Sequence, residues 1–240
     1  MIDTLLRRPA GAGEYFADAV RAACLLSLTA AALWHGPVDV ALFLLVLMGT
    51  LVSRSLEIPR VFDGLYGLTL LGAAWSSVLD LYARVGWWDL PVHFTATAVI
   101  AAMVYLLLSR LGAVPMPARR AAPPAGAIPV LVFCLGLAVS VLWELGEWWG
   151  YTFVDQSINV GYQDTMGDLA AGGLGALSAG AWLGRAARRS AREADAIRPA
   201  DAAQPALGGR AGPASALTRV PVQRRPETGG IPKERNSSGR

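Results

Sequence analysis

Six stretches of this chain are apolar on every side, and each is close to the length of a bilayer crossing. A membrane helix needs about 20 mostly apolar residues, with about 17–25 tolerated. The runs fall at 17–35, 38–53, 62–81, 90–109, 128–149 and 166–184. A soluble helical bundle would instead carry a polar stripe along each helix. The second run is short and needs its flanks to span. The first has Asp18 and Arg21 near its start, from where they can snorkel to lipid headgroups. It reads as a span and not as a cleavable signal, because its apolar stretch starts late and no small-x-small site follows Trp34. The expected fold is all-α: a polytopic membrane helix bundle with six transmembrane helices.

Charge supports the same reading. Only 16% of the 240 residues are charged, against about a quarter in an ordinary soluble domain. From Arg185 to the end there are 12 basic and 5 acidic residues, whereas residues 1–184 hold 9 basic and 13 acidic ones. The net positive charge therefore belongs to a tail. No basic stripe with interleaved aromatics is present, so nucleic acid is not an expected partner. Cys24 and Cys134 each sit inside an apolar run and read as small hydrophobes, with no zinc-type spacing.

Orientation follows from the loops. Arg7, Arg8, Arg54, Arg60, Arg110, Arg119, Arg120 and the tail arginines fall on one side; the opposite loops hold only Arg84. The positive-inside rule then places both termini in the cytoplasm. Trp34, Trp87, Trp88, Trp148 and Trp149 gather at the outer interface, where indoles concentrate. The expected organisation is a cytoplasmic N-terminal segment (1–16), a six-helix domain (17–184) and a disordered basic cytoplasmic tail (185–240). The tail is rich in Ala, Arg, Pro and Gly and has too little apolar surface to offset its ordering entropy.

The acids are the anomaly. No Lys or Arg occurs between Arg120 and Arg185, yet Glu144, Glu147, Asp155, Asp164 and Asp168 fall in that interval. Asp89 and His93 open the fourth run, Glu144 and Glu147 close the fifth, and Asp164 and Asp168 open the sixth. Each pair is three or four residues apart, so both members share a helix face. In the expected topology all six reach one outer recess, with Asp80 and Arg84 as secondary members. Carboxylates crowded in a dry space need shared protons or a cation. A carboxylate shell with one imidazole suits Mg, Mn, Ca or Fe better than structural zinc. The competing reading is structural. Asp89 and Asp164 would be helix N-caps, Asp80 a solvated interfacial acid, and His93 a simple hydrogen-bond partner of Asp89. In the last run Asp168, Gly172, Ala176, Gly180 and Gly184 recur every four residues, a small-residue pattern for close helix packing.

WDLPVHF, WELGEWWGY and YQDTMGDLAAGGLGA together resemble the YjdF-like family of bacterial integral membrane proteins of unknown function. A weaker similarity is to VanZ-like proteins, which share a D-x-x-x-H-F element and an acidic final helix. The likeness covers about residues 15–184. It implies a multi-pass protein of the bacterial cytoplasmic (inner) membrane and carries over no catalytic role. Where relatives place Asn in the last helix, this chain has Ala171 or Gly172. Three functions stay open from the sequence. One is an outward-facing site that binds a cation and supports metal-dependent hydrolysis of an envelope lipid, with the lipid or another small molecule as its ligand. A second is a proton- or cation-coupled small-solute transporter. The third is a non-catalytic structural membrane protein.

Overall fold

A computed structural model of the chain describes residues 9–55, 58–114 and 126–197. Among these residues there are seven helices and no strand. They are α1 (Ala12–Trp34), α2 (Pro37–Ser55), α3 (Arg60–Val78), α4 (Leu81–Arg84), α5 (Asp89–Arg110), α6 (Ala127–Phe153) and α7 (Tyr162–Ile197). Six of the seven coincide with the six apolar runs. The short α4 sits in the connection between the third and fourth. Asp80 breaks the chain between α3 and α4 in the left-handed region, at φ 57.

By length and composition, α1, α2, α5 and α6 qualify as membrane-crossing helices. The other two fall short of that description for compositional reasons. Helix α3 is diluted by Asp63, by Ser76 and Ser77 and by three glycines, and α7 is built largely from Ala and Gly with Asp164 and Asp168 near its start.

The helices pack as two groups of three. Helices α1, α2 and α3 enclose a core of Val20, Cys24, Ala31, Phe43, Val46, Leu71 and Ala74. Helices α5, α6 and α7 enclose a second core that includes Ala101, Tyr105, Val132 and Ala176. Ile58 and Tyr66 meet Met103 where α3 packs on α5. Much of the remaining large apolar surface faces outward, as lipid-facing helices require: Leu26, Leu45, Leu142 and Trp182 are all more than half exposed.

Two expectations need correction. Arg21 does not snorkel outward. It is 9% exposed and turns into the first helix group, where its guanidinium is hydrogen-bonded on every side. The apolar run around it hides that outcome, because a buried partner for Arg21 comes from α3, 42 residues away. The second correction concerns the tail. Helix α7 does not stop at Gly184 but continues through Arg185 to Ile197. Ala and Arg are strong helix formers, so the extension beyond Gly184 is locally favoured, and Leu183 and Ala187 dock it on the second core. The tail from residue 198 onward, and the N-terminal residues 1–8, lie outside the described residues.

Candidate functional site

Trp88 immediately precedes α5, and its indole Nε1 donates to Ser76 Oγ at the end of α3, 3.0 Å away. That bond ties the start of α5 to α3 and turns the Trp88 indole toward the helix bundle. Asp89 and His93 follow, one helical turn apart. His93 Nε2 lies 3.2 Å from Asp89 Oδ1 and 3.9 Å from Asp168 Oδ2 on α7. One ligand-type atom each from Asp89, His93 and Asp168 falls within 4.8 Å of the others. Asp168 is 2% exposed.

Glu144 reaches the same place from α6. It is 8% exposed, and its Oε1 has no hydrogen-bond partner among the described residues. It neighbours Thr165 and is close enough to His93, Asp164 and Asp89 to interact with their charges. Glu147 interacts with Glu144, His93 and Asp89. Asp164 accepts the Asn159 side-chain amide at 2.9 Å. Thus the six acidic and imidazole residues singled out above meet at one end of the α5–α6–α7 group.

The secondary pair behaves differently. Asp80 and Arg84 are exposed and face each other across 3.8 Å on α4. Asp155 is fully exposed in the α6–α7 connection, where it accepts the Ser157 backbone N–H at 2.9 Å. That bond holds its carboxylate below the usual range. Asp89 does not occupy the capping position of α5: it is the first residue of the helix, and the capping position is Trp88, whose side chain makes no capping bond. Asp164 lies within the first turn of α7, with its carboxylate engaged by Asn159.

Beneath the charged layer lies a second polar layer. Thr97 Oγ1 and Ser140 Oγ are 3.3 Å apart and buried. A Cβ at Gly172 would stand 2.6 Å from Ser140 Oγ and 2.8 Å from Thr97 Oγ1, so only glycine lets α7 approach these hydroxyls. One more turn in, a Cβ at Gly136 would overlap the Ala176 methyl and lie 3.2 Å from the Ala101 methyl. Below the charged groups the three helices pack in layers, stepping by four residues: His93, Thr97, Ala101; Glu144, Ser140, Gly136; Asp168, Gly172, Ala176. In the last of these layers the Ala101 and Ala176 methyls leave no room for a side chain at Gly136. Further along the small-residue stripe, Gly180 and Gly184 lie against Pro129 of α6.

Four participants carried no signal strong enough to single them out. Thr97 and Ser140 sit one turn from His93 and Glu144, a spacing that points to them once the recess is known. Thr165 is next to Asp164 in sequence. Tyr82 had no signal at all: it comes from α4, donates its hydroxyl to the Ala73 carbonyl at 3.0 Å, and lies within electrostatic reach of Asp89 and Glu147. Burial, and then those two carboxylates, push its phenol above the usual range.

A second polar cluster occupies the start of α1, the end of α2 and the start of α3. Arg21 Nη2 pairs with both oxygens of Asp63 at 2.6 and 2.5 Å, its Nη1 with Asp18 at 2.9 Å, and its Nε with the Thr50 carbonyl at 3.0 Å. Arg54 also binds Asp18, Ser53 donates to Asp63 at 2.6 Å, and Arg60 binds Glu14 at 2.8 Å. Three arginines thus face three acids. The α5–α6–α7 recess has five carboxylates and a single imidazole.

Long apolar helices, close small-residue packing and ionisable groups turned inward together define a helical membrane protein. Residues 18–189 match the family described as "Predicted membrane protein (DUF2238)", and the chain belongs to it. This is the YjdF-like family that its motifs resemble. No curated protein and no solved structure matches the chain.

Proposed function

We propose that Asp89, His93 and Asp168, with Glu144 as a fourth donor, bind a divalent cation at the outer face of a six-span protein of the bacterial inner membrane, with both termini in the cytoplasm. The observation that carries this reading is the Glu144 carboxylate. It is more than nine-tenths buried, has one oxygen without a partner among the described residues, and lies within electrostatic reach of three further ligand-type groups gathered within 4.8 Å of one another. A buried carboxylate without a partner is costly unless a cation or proton compensates it. In the Arg21–Asp63 cluster this chain neutralises buried acids with arginine. At the recess it does not.

The donor set fits a hard or borderline ion with oxygen and imidazole ligands, such as Mg, Mn, Ca or Fe. A bound ion of this kind supplies Lewis acidity and lowers the pKa of water. Glu147 and Asp164 stand beside the triad as candidate proton acceptors and donors, above the buried Thr97 and Ser140 hydroxyls. An outward recess in a bilayer is reached most directly by a lipid headgroup, which favours hydrolysis of an envelope lipid as its chemistry. The tight layer at Ala101, Gly136 and Ala176 disfavours the transporter reading, since a solute passing between these helices would meet packed methyl groups.

The test is metal content and Mn(II) binding, by elemental analysis and electron paramagnetic resonance, on detergent-purified full-length protein. Wild type is expected to hold a divalent ion, and Asp168→Asn and Glu144→Gln to lose it while remaining monodisperse. A wild-type protein that binds none of these ions, and whose unfolding temperature a chelator leaves unchanged, overturns the reading.

A further inference from the structure

The cytoplasm-side continuation of α7 carries a feature that the recess does not explain. Arg185, Arg188, Arg189 and Arg192 stand together along this helix. At about 100° per residue they fall within an arc of about 100°. Leu183 and Ala187, which dock the helix on the core, lie on the opposite side. The arginine face therefore points away from the protein. Arg185, Arg189 and Arg192 are exposed, and from Arg185 to Ile197 the four arginines stand against two acids, Glu193 and Asp195.

Tracing the same face back toward the middle of α7 changes its chemistry. Leu174 and Trp182 lie on it, 60% and 59% exposed. An apolar strip thus runs directly into a cluster of guanidinium groups, with an indole at the junction. An acyl chain fits the first part and an anionic head the second. A guanidinium matches phosphate oxygens in a two-pronged geometry, and basic groups beside the cytoplasmic leaflet attract anionic lipid. A free phosphate would use the arginines and leave the apolar strip without a role.

We infer that the outward face of α7 from Leu174 to Arg192 is a binding site for an anionic phospholipid, the acyl chain lying on Leu174 and Trp182 and the phosphate held by the arginines. The test is native mass spectrometry of the full-length protein in mixed micelles containing equal phosphatidylglycerol and phosphatidylcholine. Wild type is expected to retain phosphatidylglycerol at least about fivefold over phosphatidylcholine, since each basic group near the surface adds to the attraction. Arg185→Gln/Arg189→Gln/Arg192→Gln, all at exposed positions, is expected to abolish that preference. Trp182→Gln is expected to lower retention of both lipids while keeping the preference. Millimolar inorganic phosphate is expected to leave the retained lipid in place. Equal retention of the two lipids by wild type, an unchanged preference in the triple variant, or displacement by inorganic phosphate would each overturn the inference.

Discussion

Arg21 and Glu144 present the same physical problem with opposite solutions. Each is an ionisable group in an otherwise apolar run, and each ends up buried. Arg21 is matched: both Asp63 oxygens accept from its Nη2, Asp18 accepts from Nη1 and the Thr50 carbonyl from Nε. Removing one partner of such a pair leaves the other charged and buried, which costs about 3–5 kcal/mol, whereas replacing both by apolar groups is often neutral. Arg21→Met is therefore expected to lower unfolding stability in micelles by about that amount, and Arg21→Met/Asp63→Leu to recover most of it. If the double variant is no more stable than the single one, the pair is not the reason Arg21 is tolerated. The acids of the recess were legible in the sequence because three- and four-residue spacings place them on helix faces near helix ends. Arg21's role was not legible, since nothing local distinguishes an arginine that snorkels from one that finds an acid on another helix.

Among the helices, α7 departs most from a simple reading of its composition. Its apolar content is too low to mark it as a crossing helix, yet it supplies packing surface to both α5 and α6. Small residues make this possible, because they let backbones approach and replace hydrophobic burial with close van der Waals contact. Gly175 is the extreme case: a Cβ there would collide with the backbone carbonyl of Phe94. Gly146 on α6 has open space around its Cβ position. Gly175→Ala is thus expected to destabilise the protein by about 1–3 kcal/mol through overpacking. Gly146→Ala is expected to be neutral or to stabilise by up to about 1 kcal/mol, as a helical glycine gains an alanine's propensity. Thermal unfolding of both variants in the same detergent checks the contrast; equal effects would mean that α7 is not held at the distance described. The four-residue recurrence of small side chains signalled close packing from sequence, but not that Gly172 makes room for two hydroxyls, nor that α7 would run on to Ile197.

Across the molecule the two polar clusters stand at opposite ends of α3. Asp63 near its start belongs to the arginine network, and Ser76 near its end anchors Trp88 beside the recess. Thirteen residues of helix separate them by about 20 Å, a large part of a bilayer's hydrocarbon thickness of about 30 Å. The proposed topology then puts the arginine network inside and the recess outside. In a background with Cys24 and Cys134 replaced, Ser157→Cys is expected to react with a membrane-impermeant thiol reagent in intact cells, and Ala113→Cys only after permeabilisation. The reverse pattern would invert the protein and place the recess in the cytoplasm. The amino-acid order alone determined the class of fold, since runs of this length and apolarity can satisfy their backbone polar groups in lipid only as helices. It also determined which helix ends carry acids, because helical periodicity is a local property. Which charges become neutralised was decided only by the tertiary packing. Asp63 meets Arg21 and Asp168 meets His93 across long separations in the chain, and Glu144 pairs with no arginine among the described residues. Such pairings depend on how helices cross, which is fixed by the contacts of small residues distant in sequence and not by any one helix alone.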